Sequence, residues 1–369
     1  MITSDTTTSS LSPKSVRLPA EWERHECVML AWPHEGTDWA YMLDDARACI
    51  ADIVRAISER ECVLLVGPEK ECRKSVEEAG FDSSRVRLED VPTNDTWARD
   101  FGPITVEDGD GALHVLDFKF NAWGLKFAAD KDNLINTHLA LRGRFAAGYI
   151  NHLGFVLEGG SIESDGHGTL LTTAECLLSP NRNGDLSENE IRHHLAKTMG
   201  FNHQLWLRHG GLAGDDTDSH IDTLARIAPH DTILYISAVD SKGQTVDSLA
   251  RMRDELTEFR TPEGNPYNLI ELPLPDPIYD EDGMQLPATY ANYLVSDDAI
   301  YLPVYDQPIN DMRAEQTLKV VYPEHTVVPI DCRALIRQHG SLHCVTMQLP
   351  VGAVSGITDG YWNESLRNL

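Results

Sequence analysis

Apolar positions along the chain follow two alternating periods. Near-continuous or every-second-residue runs occupy Cys62–Gly67 (CVLLVG), Leu113–Phe120 (LHVLDFKF), Thr169–Leu178 (TLLTTAECLL), Thr232–Ser237 (TILYIS) and Ala299–Tyr305 (AIYLPVY). Their length and their β-branched and aromatic content predict strands. Between them, apolar residues recur at helical spacing over Tyr41–Glu59, Glu69–Ala79, Val246–Phe259 and Met312–Val321. A further helix is expected over Ser187–Met199. It opens on S-E-N-E, a capping box in which Ser187 and Glu190 each cover the other's unpaired amide.

A larger pattern repeats. PITVEDGDGALHVLDF (103–118), FVLEGGSIESDGHGTLLTT (155–173) and NYLVSDDAIYLPVY (292–305) each read as strand, acidic or glycine-rich turn, strand, and a helical stretch follows each. Units that cannot bury their faces alone stack on one another, so the reuse predicts an α/β array closed around a common axis. An ordinary α/β sandwich whose hairpins are alike by chance is the alternative that the pattern leaves open. No Pro/Gly/Ser-rich linker divides the chain. The expected organisation is a disordered Ser/Thr-rich tail over residues 1–16, followed by one catalytic α/β domain over 17–369. The Pro-rich stretch Leu272–Pro287 reads as a long surface loop and a candidate lid.

Composition narrows the class of partner. The 369 residues carry 58 acidic and 31 basic side chains, a net charge of −27, which repels nucleic acid and anionic membranes and draws cations into any concave site. Seven cysteines lack a C-x-x-C pair, which fits reduced thiols in the cytoplasm. The N-terminus has no apolar core of a secretion signal, and no later run approaches the roughly 18 apolar residues of a membrane span. A cytoplasmic protein is expected.

Four segments are chemically loaded: TNDTWARDFGP (93–103), LEGGS (157–161), GDDTDSHID (214–222) and HGSLHCVTMQLP (339–350). The third packs four aspartates and one histidine into nine positions. Such crowding calls for a positive partner: a metal ion, an arginine of the protein, or a cationic substrate. The D-x-D spacing of Asp216 and Asp218 lacks the glycine and distal glutamate of an EF-hand calcium loop, and His220 stands without the helix-spaced histidine or paired cysteines that a zinc site would want. A solvated loop holding a structural arginine stays open. A guanidinium is another fit, because carboxylates match its planar fork of donors. Once clamped, its central carbon is open to a thiolate, and a histidine beside carboxylates can protonate the leaving amine and then activate water. Aspartates, a glutamate, a histidine and a cysteine are all present in the four segments.

Taken in order, NDTWARDFGP, LEGGSI, LLTTAECLLSPNRN, DDTDSHID and LHC resemble the agmatine deiminase branch of the guanidine-modifying (pentein) superfamily, which also includes bacterial peptidylarginine deiminases. The resemblance runs from about Pro19 to the VTMQLP segment. It implies a five-bladed α/β propeller of ββαβ units, and a reaction that needs no cofactor and no metal. Residue by residue, it implies Cys344 as nucleophile, His220 as general acid/base, Glu158 as the carboxylate that tunes the histidine, and Asp100 and Asp222 as the guanidinium clamp. Agmatine would be hydrolysed to N-carbamoylputrescine and ammonia. The alternatives are a deiminase of C-terminal arginine in peptides, an amidinotransferase and a polyamine-binding protein; a homodimer is compatible with all of them.

The remaining residues are weighed separately. Trp97 is either core or a wall of the substrate pocket, while Asp216 and Asp218 either reach the far end of the substrate or shape their loop. Cys62 and Cys176 read as packing cysteines within strands. Strand alternation would turn His343 away from Cys344, and Arg99 away from Asp100. Ser219 and Ser341 stand where the family usually has glycine, and serine lacks glycine's freedom at positive φ.

Overall fold

The computed structural model describes residues 16–240 and 242–356. Most of the expected tail lies outside these residues. Val16 does not behave as tail, because it is buried, and Arg17 pairs with Glu107 through both its backbone and its side chain.

Local chemistry sets the helices. In Leu43–Ser58 the buried positions Ala46, Ile50, Ile53, Val54 and Ile57 form one apolar stripe; a short 3-10 turn, Asp38–Met42, precedes it, so the α-helix begins later than the sequence pattern suggests. Glu188–Met199 carries both arms of the capping box at Ser187 and Glu190. Glu69–Ala79 and Asp247–Glu258 lie where expected. Pro308–Val321 begins a turn before the expected Met312, with Pro308 in the first helical turn, where its missing N–H costs nothing. The run Thr169–Leu178 is not one strand. It pairs only as far as Thr173, opposite Leu207 at the end of the partner strand, and Ala174–Leu177 turns into a helix.

Five sheets share one plan. In four of them an antiparallel pair is followed by a crossover and a parallel third strand: Ile104–Glu107, Leu113–Lys119 and Gly148–Val156; Ile162–Ser164, Thr169–Thr173 and His203–Leu207; Ala225–Ala228, Thr232–Ile236 and Asn268–Leu272; Leu294–Val295, Ala299–Val304 and Thr326–Asp331. In the fifth, His25–Ala31 runs parallel to Cys62–Gly67, which in turn pairs with Val86–Asp90, and the antiparallel partner of His25–Ala31 is Met347–Pro350 from the far end of the chain. The last strand thus completes the first sheet, and the modules form a closed cycle. The repeated hairpins of the sequence are these units, in the α/β architecture expected.

The cycle also places the chemistry. Immediately before the first strand of each module lies a short turn or loop: Ala98–Phe101 before Ile104, Gly159–Ser161 before Ile162, Ile221–Thr223 before Ala225, residue 292 before Leu294, and His343–Val345 before Met347. Among the described residues, no helix is long and apolar enough to cross a membrane. The Leu272–Pro287 segment forms a small hairpin, Ile278–Tyr279 with Gln285–Leu286, tied at its tip by Glu281 to Arg337.

Candidate active site

Each of those turns or loops brings one or more polar side chains to a common buried centre. Cys344 lies on the 3-10 turn His343–Val345, not on a strand, and its Sγ is 4.0 Å from Asp222 Oδ2. Gly160 shows how closely the rest gathers. A Cβ added there would sit 2.7 Å from His220 Nδ1, 2.8 Å from Asp100 Oδ1 and 3.1 Å from Asp222 Oδ2, so only glycine fits. Its backbone N–H donates to Asp100 Oδ1 at 3.0 Å, and the Trp123 indole N–H donates to Oδ2 at 2.9 Å. His220 lies between carboxylates, with Nδ1 3.6 Å from Asp100 and Nε2 3.6 Å from Glu158. Two buried atoms here lack a hydrogen-bond partner: His220 Nε2 and Asp222 Oδ1.

Asn292 completes the set, and sequence reasoning missed it. Its Oδ1 accepts from the His343 and Cys344 amides at 2.9 and 3.3 Å and from the Cys344 thiol at 3.3 Å. A signal was present: residue 292 opens the third repeated hairpin, in the place where the other modules carry Asp100, Glu158, Asp222 and Cys344.

The electrostatics follow from burial. Removal from water, together with the charges of Asp222 and Asp100, pushes the Cys344 thiol well above the ordinary range. Burial likewise raises Asp100 to about 6, against the pull of His220. Burial alone would lower His220, but Asp100, Cys176 and Glu158 outweigh it and lift it well above its ordinary value. Asp222 ends below the usual carboxylate range although burial opposes this, because the His343 ring donates to it and carries charge beside it.

The acidic run has found an arginine of the protein. Arg182 is forked onto Glu158 through Nε, reaches Asp218 at 2.6 Å and donates to the Thr217 carbonyl at 2.8 Å. With Lys126 at 2.7 Å, this occupies both oxygens of Asp218, which is therefore a loop-shaping residue and not part of the cavity wall expected for a substrate-binding side chain. Two buried trios have metal-ligating composition, Glu158–Cys176–His220 and Glu21–Glu163–His343. Each already holds a guanidinium, from Arg182 and Arg226 respectively, which supplies the positive charge a metal would bring.

Other expectations change. Cys176 sits in the helical turn Ala174–Leu177 with its thiol 3.8 Å from Glu158, so it belongs to the centre and is not a strand packing residue. Arg99 does point away from the cavity, because Ala98–Phe101 is helical and not extended. His343 is not detached from the chemistry, since its Nδ1 donates to Asp222 at 2.8 Å. Ser219 adopts a left-handed backbone, at φ 63°, and is held there by Glu175 and Asp215.

Above the centre lies a cavity of about 200 Å³. Cys344 and Asp100 open onto it, with His220, Asp222 and Glu158 sealed behind them. Trp97, Phe120, Trp123 and Phe127 form its apolar wall, and Gly340 packs flat on Trp97, where a Cβ would come within 2.1 Å of the ring. Four further carboxylates line it: Asp38, Asp95, Asp132 and Asp216. Among its described lining residues there is no lysine and no arginine.

Comparison with known proteins gives a consistent picture. The sequence profile of the Porphyromonas-type peptidyl-arginine deiminase family matches residues 17–350. Agmatine deiminase of Pseudomonas aeruginosa is 32% identical over 366 residues, 93% of this chain and 98% of the relative. A substrate-bound agmatine deiminase of C. jejuni, in a cysteine-to-serine variant, superposes with a TM-score of 0.81 at 35% identity, over 90% of this chain and 96% of that one. A Porphyromonas gingivalis structure provisionally described as an arginine deiminase has a TM-score of 0.86 and 46% identity, over 92% of this chain and all of its own.

Proposed function

The chain belongs to the Porphyromonas-type peptidyl-arginine deiminase family, and on that premise we propose that it hydrolyses agmatine to N-carbamoylputrescine and ammonia through a covalent adduct on Cys344. The agmatine deiminase names of the Pseudomonas and C. jejuni relatives support the substrate. The observation that carries it against arginine is the cavity lining: five carboxylates and an aromatic wall, with His339 but no lysine or arginine among the described lining residues to meet a substrate carboxylate.

The geometry supports a sequence of steps. The guanidinium N–H groups pair with Asp100 and the open Oδ1 of Asp222. Its charge offsets the two carboxylates that hold the Cys344 proton on, so the thiol gives its proton to solvent as the cation binds. The thiolate forms a C–S bond to the guanidinium carbon. Protonated His220, kept so by Asp100, Cys176 and Glu158, passes its proton to one nitrogen, the C–N bond breaks and ammonia leaves. Neutral His220 then takes a proton from water, whose oxygen bonds to the same carbon; the C–S bond breaks, the proton of the new hydroxyl returns to the sulfur, and the ureido product leaves the thiol and the protonated His220 as they began. Guanidinium plus water gives urea plus ammonium, so atoms and charge balance. Asn292 holds the sulfur and the turn that carries it. Independence from nucleic acid belongs to the same proposal, resting on the net charge of −27, as does a cytoplasmic location, resting on seven free cysteines with no C-x-x-C pair.

Ammonia release measured on agmatine, arginine and a C-terminal arginyl peptide tests the assignment. kcat/KM for agmatine is expected to exceed that for arginine by about 10³, or about 4 kcal/mol, because the carboxylate of arginine would be buried among carboxyl groups with no lysine or arginine to pair with. Comparable rates on arginine or the peptide would move the substrate to the peptidyl-arginine reading.

A further inference from the structure

A second ionic cluster lies behind Asp222 and is not used by the chemistry above. Its centre is His343, with Nδ1 2.8 Å from Asp222 Oδ2 and Nε2 2.8 Å from Glu21 Oε2. Arg226 closes the other side: it reaches Glu21 at 2.6 Å, Glu163 at 2.5 Å and the carbonyls of Ala291 and Tyr293. Arg99 adds a further charge beside Glu21. Each imidazole nitrogen sits 2.8 Å from a carboxylate oxygen, and Arg226 Nη2 also lies 3.2 Å from Nε2, so the ring is fixed at both ends.

Glu21 comes from outside the modules. It sits on the N-terminal strap, where Leu18 binds the Met199 carbonyl through its N–H and the Ser164 hydroxyl through its C=O, and where Glu21 Oε1 accepts the Val295 amide at 2.7 Å. Glu21 and His343 also line a small cavity of about 60 Å³, separate from the one above Cys344.

We propose that Glu21 is a positioning residue for guanidine hydrolysis: it holds the outer end of the His343 ring, and His343 in turn fixes Asp222 so that Oδ2 is engaged and Oδ1 is presented to the guanidinium. The N-terminal strap is thereby part of the machinery and not a packing appendage. With Glu21 removed, the outer end of the ring keeps only Arg226 beside it and loses its carboxylate partner, and Asp222 loses its fixed orientation although nothing touching the substrate has changed.

The inference rests on the guanidine-hydrolase reading, and its test separates the two. Glu21→Ala and Glu21→Gln are assayed for ammonia release from agmatine, with and without exogenous formate, and folding is checked by thermal melting. Both are expected to lose roughly ten- to a hundredfold in kcat/KM, the scale of a charge-assisted hydrogen bond. Formate is expected to restore part of kcat in Glu21→Ala, because the shortened side chain leaves room for a small carboxylate beside the existing cavity, and to leave Glu21→Gln unchanged. A purely structural role would lower the melting temperature without formate recovery. Full activity in Glu21→Gln, or folded Glu21→Ala with no recovery in formate, overturns the proposal. Wild-type protein that released no ammonia from agmatine would instead remove the functional reading itself.

Discussion

At the scale of single residues, the centre is a set of like charges arranged so that a cation completes it. Asp100 and Asp222 stand beside a thiol that they help keep protonated, an arrangement that holds nucleophilicity in reserve until a guanidinium arrives. Alkylation of Cys344 by iodoacetamide, followed by mass spectrometry in the substrate-free protein, is expected to reach half its maximal rate at a pH above that of an ordinary thiol, about 8.5. Asp222→Asn removes one of the opposing charges, so its midpoint should move down. A wild-type midpoint at or below the ordinary value would contradict the electrostatic reading. Cys344→Ala should abolish turnover, and a variant retaining a tenth of wild-type activity would exclude the covalent route.

At the scale of elements, the least regular piece is the turn Ala122–Leu125. Ala122, Trp123 and Leu125 hold φ values of 52°, 54° and 70° around Gly124 at 85°, a left-handed run that costs about 1–2 kcal/mol at each non-glycine position. Asn121 supports it by accepting the Gly124 amide at 3.0 Å and donating to the Asn181 carbonyl at 2.8 Å. The result is an indole placed edge-on to Trp97, Phe120 and Phe127, with its N–H on Asp100. Trp123→Phe keeps most of the wall and loses the donor. Its kcat/KM for agmatine should fall about tenfold, or about 1.4 kcal/mol, with the melting temperature shifting by only a few degrees. An unchanged kcat/KM would show that Gly160 alone suffices to hold Asp100.

At the scale of the whole molecule, the acidic mouth makes stability depend on pH. Burial, with neighbouring carboxylates, raises Asp95 to about 7 and Asp132 to about 8. An acid whose folded pKa is raised binds its proton more tightly in the native state. Its contribution to stability is therefore present below the unfolded value of about 4 and lost as pH rises through 7 and 8. Histidines held neutral by burial, such as His194 at about 4, act in the opposite sense, but only below about pH 6.5. Between pH 6.5 and 8.5 the melting temperature of the substrate-free protein should therefore fall. Calorimetry should find the slope reduced in Asp132→Asn, and a melting temperature that rises across this interval would contradict the assignment.

Local patterning by itself determined the five longest helices and one central strand of each module. A capping box, apolar stripes at helical spacing and strand runs depend on neighbours within a few residues, and they were legible at Ser187–Met199, Glu69–Ala79 and Cys62–Gly67. The repeated hairpins disclosed the modules, and motif resemblance singled out Cys344, His220, Glu158, Asp100 and Asp222. What only the tertiary structure decided was partnership across long chain separations. Whether Asp218 meets substrate or Arg182, whether Cys176 packs or touches Glu158, and whether His343 is idle or braces Asp222 all depend on which turns the closed cycle brings together. Charge pairing is set by distance in space, and the sequence distance from Glu21 to His343 carries no trace of the 2.8 Å between them.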